Sequence, residues 1–385
     1  MTITPITVLQ ESDLRDKKVL IRVDFNVQVY EGRILDDLRI RKTLETIVYV
    51  RGKGAKVILV SHNESKDGTG LLPVCEYINE MYKNECGQVT FISDFMAEST
   101  KETIASMNSG DVILFENLRV LPGEKANDVE FSKYLASLAD LYVNDAFAVS
   151  HRKHASVVGV PALFPGKKYA GIQLMKEVDA LKKALKPSHP FIFILGGAKF
   201  ETKLPLIQKF SETADMIFLG GALLNDVLKA KGFDVGMSLV SAGEFDLSGV
   251  ISNPKVLIPT DVVVERGGQA VIVPVNEVLT NDAIMDVGPS FTSMLKQHAE
   301  SSQFILWNGP MGNYEKGYKD QTIGMAKVVF ESKAQALLGG GDTTAAIKEL
   351  GYEEKESEHV FISTGGGAML EFLQYETLPG ILALE

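Results

Sequence analysis

Short apolar runs that end in polar or glycine residues recur along the whole chain, each followed by a stretch of helical periodicity. In the first half they occupy residues 18–27, 56–61, 112–115 and 141–144. In the second half they occupy 191–195, 216–219, 256–258, 304–307, 336–338 and 360–363. The runs are continuous rather than alternating. That predicts strands buried on both faces, as in a parallel sheet covered by helices. Strand alternating with helix predicts an α/β class. So many strands exceed what one open sheet commonly holds, so two doubly wound, Rossmann-like domains are expected. Residues 169–185 read as one helix, with Leu174, Val178, Leu181 and Leu185 on one face. Pro165-Gly166 precede it, and Pro187 and Pro190 follow it. This places the domain boundary at 165–190 and makes the helix a hinge element.

Composition narrows the function. The chain has 385 residues, 45% hydrophobic and 23% charged, ample for two cores. Its net charge of −11, with no polybasic run, argues against nucleic acid or anionic lipid as a partner. No apolar window is long enough to span a membrane, and no secretory signal opens the chain, so a cytoplasmic protein is expected. Cys75 and Cys86 match no metal spacing and read as reduced thiols.

Ligands of open α/β sheets sit outside the carboxyl ends of the strands. The first-half strands deliver Arg22-Val23-Asp24-Phe25-Asn26-Val27, Ser61-His62, Glu116-Asn117-Leu118-Arg119 and Asn144-Asp145 to that edge. Alternation puts Arg22, Asp24 and Asn26 on one face of the first strand. Arg39 and His151-Arg152-Lys153-His154 lie in flanking loops. Any one arginine reads as a surface ion pair, and His62 alone as a structural histidine. The set, in an acidic chain, points to a small multiply charged anion.

The second-half strands deliver glycine instead. The segments are Gly196-Gly197-Ala198-Lys199, Gly220-Gly221, Asn308-Gly309-Pro310-Met311-Gly312, Gly339-Gly340-Gly341-Asp342-Thr343 and Gly365-Gly366-Gly367. Glycine permits close backbone approach, and a helix starting there favours phosphate. Lys199 and Lys203, four apart, can face one ligand. Asp342 by itself reads best as a helix cap; the alternative is a carboxylate on nucleotide-bound Mg²⁺. Neither GxxxxGK[ST] nor GxGxxG occurs.

Together these segments resemble those of the phosphoglycerate kinase family. They occur in family order from residue 18 to about 380. The resemblance implies reversible phosphoryl transfer from 1,3-bisphosphoglycerate to Mg-ADP, giving 3-phosphoglycerate and ATP. It implies a monomer with a phosphoglycerate-binding domain at 1–168, an interdomain helix at 169–186 and a nucleotide-binding domain at 187–368. A tail at 369–385 packs back on the first domain. Asp24, Asn26, Arg39, His62, Arg119 and Arg152 match phosphoglycerate-binding positions, with Arg22 beside them. Lys199, Lys203, Asn308, Glu315 and Asp342 match nucleotide and Mg²⁺ positions, Asp342 being the metal ligand. Gly197, Gly221, Pro310, Gly340 and Thr343 line the same nucleotide site. Gly341, Gly365 and Gly366 match backbone donors near the transferred group, where Arg39 and Lys199 act on it.

Two positions depart from the family pattern. Ser65 stands where an arginine usually meets the substrate's 3-phosphate, and Gln28 replaces a usual proline. The alternative of a non-catalytic relative that binds only nucleotide rests on Ser65 alone. A charge-assisted bond is worth about 1.5–3 kcal/mol, so a neighbouring cation, Lys66 or Lys153, is expected to replace it. Lys66→Ala or Lys153→Ala should then raise the KM for 3-phosphoglycerate. Two unchanged KM values in steady-state assays exclude this compensation.

Overall fold

The computed structural model describes residues 3–64, 68, 70–198, 200–243, 245–352 and 359–385. Contacts divide the chain into two compact units, Met1–Asp179 with Tyr375–Glu385, and Ala180–Gln374. The division falls inside the helix Ile172–Leu185, between the expected boundaries at 168 and 187. The returning segment starts at Tyr375 rather than 369. Met369 remains with the second unit because its sulfur packs against Gly339 and Asn308.

The strands of the first unit are β1 Lys18–Arg22, β2 Val29–Tyr30, β3 Arg33–Ile34, β4 Lys56–Val60, β5 Val89–Ile92, β6 Val112–Phe115, β7 Leu141–Asn144 and β8 Lys168–Ala170. Among the described residues six of them form a parallel sheet in the order β5-β6-β4-β1-β7-β8, and β2 and β3 pair antiparallel. Central strands are buried throughout, as continuous apolar runs require. The chain runs outward from β1 through β4 and returns to the other side as β7. Register sets Arg22 beside Val60 and Asn144, so three strand ends meet at this switch point.

The second unit adds β9 Phe191–Leu195, β10 Met216–Leu219, β11 Val256–Leu257, β12 Asp261–Arg266, β13 Gln269–Pro274, β14 Ala283–Val287, β15 Phe304–Asn308, β16 Gln335–Gly339 and β17 Val360–Ile362. Its parallel sheet has the order β11-β10-β9-β15-β16-β17. Asn308 stands beside Leu195 and Gly339 at the second switch point, between β9 and β15.

Each expected strand is present, with corrections at its ends. The first stops at Arg22, so Asp24 and Asn26 lie in the segment beyond it, where alternation no longer decides their direction. The interdomain helix begins at Ile172 rather than 169, because residues 168–170 pair with β7 as β8. Its first turn is held by two foreign oxygens. Thr46 Oγ1 accepts from Ile172 N at 2.9 Å, and Asp145 Oδ1 from Leu174 N at 3.0 Å.

The sheet β13-β12-β14 was not expected. Its signal was the pair Gly267-Gly268, both at positive φ, between the three consecutive valines of β12 and the apolar run of β13. Strand β5 carries no continuous apolar run, being half-exposed at an edge and interrupted by Thr90.

Phe218 of β10 is fully buried, its ring 4.9 Å from that of Phe291 on the helix Pro289–Ala299. Phe218→Ala is expected to lower stability by about 3–5 kcal/mol in urea titrations. A loss below about 1 kcal/mol excludes tight packing at this site.

Candidate active site

In the first unit the strand ends gather cations. Arg39, on the first turn of the helix Leu38–Gly52, places Nη1 3.3 Å from Asp24 Oδ2 and donates to Asn26 O at 3.1 Å. Asn26 Oδ1 in turn accepts from Glu64 N at 2.8 Å. Arg119, mostly buried, is paired with Glu64. Arg152 and Lys153 are exposed. Ser65 and Lys66 lie outside the described residues.

Arg22 does not stand on this rim with Asp24 and Asn26. It is fully buried and its donors are spent within the protein. Nε donates to Ser156 Oγ at 2.9 Å, Nη1 to Val23 O, and Nη2 lies 3.0 Å from His62 Nδ1. Glu124, also fully buried, accepts from Ser156 Oγ at 2.6 Å and from Ser156 N at 2.9 Å. No sequence motif announces Glu124 or Ser156, because only the fold brings them beneath Arg22.

The histidines report the local potential. Burial first, then the guanidinium groups of Arg22, Arg119 and Arg39, hold His62 well below its ordinary pKa. His151 is pushed down to about 4 by burial and Arg152. His154 is lowered by burial, against the pull of Glu124 3.9 Å away. Burial and the neighbouring guanidinium groups thus disfavour the charged form of all three rings. Arg119 Nε, His151 Nδ1 and His154 Nδ1 are buried with no hydrogen-bond partner among the described residues. Such atoms at a polar rim call for a ligand.

In the second unit glycine serves packing before binding. A Cβ on Gly196 would lie 2.0 Å from Pro310 O, and one on Gly366 2.8 Å from Gly340 Cα. Gly196 N donates to Asn308 O at 2.9 Å, Gly197 N to Pro310 O at 3.0 Å and Gly221 N to Met311 O at 2.6 Å. Thr343 Oγ1 accepts from Gly309 N at 3.1 Å, and Ser363 Oγ from Gly365 N at 3.2 Å. Those amides and the Thr343 hydroxyl therefore hold loop to loop. The contact of Gly366 with Gly340 brings together the starts of the helices Gly341–Glu349 and Gly366–Tyr375. Space beside Gly341 and Gly367 is open.

A cleft of about 310 Å³ opens here. Leu224, Leu239, Ile284 and Met285 wall one part; Gly197, Gly221, Pro310, Glu315 and Asp342 wall another. Such a cleft suits an apolar base followed by phosphates. Asn308 is buried, and its Nδ2 lies 3.8 Å from the Met369 sulfur. Lys203 is buried and donates to Gly196 O. Burial pushes its pKa down to about 8, against the attraction of Asp342. Asp342 is raised by burial and by Glu315, with Lys203 opposing. Lys199 lies outside the described residues.

No group of three or more potential metal ligands occurs among the described residues. The donor set fits Mg²⁺ only as phosphate-bound Mg²⁺, which needs one or two carboxylates from the protein. Asp342, half-exposed on the cleft wall with Glu315 nearby, meets that need.

The phosphoglycerate kinase family model matches residues 9–376. The chain belongs to the phosphoglycerate kinase family. A phosphoglycerate kinase of Dictyoglomus turgidum is 41% identical over 98% of both chains, and one of Clostridium tetani 38% identical over 98% of this chain and 97% of that one. The solved phosphoglycerate kinase of Coxiella burnetii superposes with a TM-score of 0.83 at 32% identity, over 100% of this chain and 99% of that one. That of Pyrococcus horikoshii gives 0.83 at 30% identity, over 99% and 98%. As a member of this family the chain is an enzyme, a phosphotransferase of glycolysis. Nothing favours the non-catalytic alternative. No described helix is long and apolar enough to cross a membrane.

The Lys203 ammonium is charged below its pKa of about 8 and neutral above it. Hence kcat/KM for the nucleotide should fall as pH rises through about 8. Lys203→Arg, charged throughout, should remove that inflection. A wild-type profile with no change in this range excludes a role for the charge.

Proposed function

We propose that the first unit holds 3-phosphoglycerate or 1,3-bisphosphoglycerate, and that the second holds ADP or ATP with Mg²⁺. The observation that carries this reading is the partnerless buried nitrogens of Arg119, His151 and His154 at a rim already rich in guanidinium.

Asp24, Asn26, Arg39, His62, Arg119 and Arg152 would bind the phosphoglycerate, while Arg22 positions His62 from below. Gly197, Gly221, Pro310, Asn308, Glu315, Gly340 and Thr343 shape or line the nucleotide cleft, with Lys203 and Lys199 on its phosphates. Asp342 would hold the Mg²⁺, which neutralises phosphate charge when bound. The attacking oxygen is a carboxylate or phosphate oxygen, ionised at neutral pH, so no general base is required. What remains is to align two anions and spread the charge of the moving group. Arg39 and Lys199 would do this with the backbone at Gly341, Gly365 and Gly366. The residues for the two substrates belong to different units, so transfer calls for a closing motion. The helix Ile172–Leu185 is its proposed hinge. The proposal includes a monomer acting in the cytoplasm, as the family resemblance implies.

A coupled assay with Mg-ATP and 3-phosphoglycerate should show saturable turnover. Lys199→Ala should lower kcat at least about ten-fold with stability unchanged. Wild-type turnover in that variant would refute the role of Lys199. Retained nucleotide binding without turnover in the parent would refute the proposal.

A further inference from the structure

A buried chain of polar groups runs from Glu124 through Ser156 and Arg22 to His62. Each link has one possible direction. Ser156 Oγ accepts from Arg22 Nε at 2.9 Å, so its proton goes to Glu124 Oε1 at 2.6 Å. Ser156 is held further by its own N–H on Glu124 Oε2 and by Tyr142 OH, which donates to Ser156 O at 2.7 Å. Arginine has no acceptor. At the 3.0 Å contact between Arg22 Nη2 and His62 Nδ1, the imidazole nitrogen must therefore be bare. A neutral ring with bare Nδ1 carries its proton on Nε2.

We infer that the chain Glu124–Ser156–Arg22 fixes the tautomer of His62 and so makes it a neutral Nε2–H donor to an oxygen of the bound phosphoglycerate. The inference rests on the proposed placement of His62 in the phosphoglycerate site. A cationic ring would turn Nδ1–H against a guanidinium N–H, and Arg22, fully buried with Nε held by Ser156, has no room to turn away. The other charged or titratable groups facing His62 are Arg119, Arg39 and His154, none of which favours a second proton. Burial acts in the same direction. Arg22 and Ser156 are thus positioning residues: they act on the substrate through His62.

Long-range ¹H–¹⁵N correlation spectra of the full chain, with labelled histidine and His62→Gln for assignment, read the tautomer directly. The wild type should show a bare Nδ1 and a protonated Nε2 across the range where free imidazole titrates. Ser156→Ala should turn this into a tautomer mixture. It should also raise the KM for 3-phosphoglycerate about five-fold, with the KM for ATP within about two-fold of wild type. Glu124→Gln, which keeps the shape, should act in the same direction and serves if Ser156→Ala fails to fold. A protonated Nδ1 in the wild type, or a tautomer indifferent to both substitutions, overturns the chain. A tautomer that shifts while the KM for 3-phosphoglycerate stays put overturns the placement of His62 at the substrate.

Discussion

Every polar function of this protein is confined to one edge of each sheet, because the central strands are buried on both faces. Within β6, β7, β9 and β15 each residue is buried, so side chains short of the strand ends cannot meet a ligand. Chemistry is possible only where the strands stop. At each switch point two neighbouring strands send the chain in opposite directions, and their ends stand side by side: Arg22 with Asn144, and Leu195 with Asn308. The site residues are separated by more than a hundred positions in places, yet register alone makes them neighbours.

The two units meet this constraint with opposite materials. The first places long charged side chains beyond its strands and leaves Arg119 Nε without a hydrogen-bond partner among the described residues. The second brings backbone against backbone. Gly196, Gly309 and Gly366 approach main chain at distances that exclude a Cβ, and amides of Gly196, Gly197 and Gly221 are spent inside the loops. The glycines therefore buttress the cleft wall. The starts of two helices, Gly341–Glu349 and Gly366–Tyr375, come together beside them, each with the positive end of a helix dipole.

Overall charge and local charge differ in sign at the first site. The chain carries −11, yet the pKa values of three histidines near Arg22, Arg119 and Arg152 are lowered by burial and by positive neighbours. With screening over about 8 Å at physiological salt, the near groups prevail. Buried Glu124 is the counterweight, and its hydrogen bonds go to Ser156 beneath Arg22.

The sequence by itself determined the fold class, the positions of the buried central strands and the family, because buried strands must be apolar runs and phosphate-facing loops must be small or cationic. It did not determine where the first strand stops, where the hinge helix starts, or which arginine faces outward. Those depend on partners distant in the chain: Asp145 and Thr46 set the helix start, and Ser156, Glu124 and His62 draw Arg22 inward. A strand's alternation specifies a face only while the strand is paired. Past Arg22 that rule lapses, and the direction of each side chain is decided by the hydrogen bonds the tertiary structure offers.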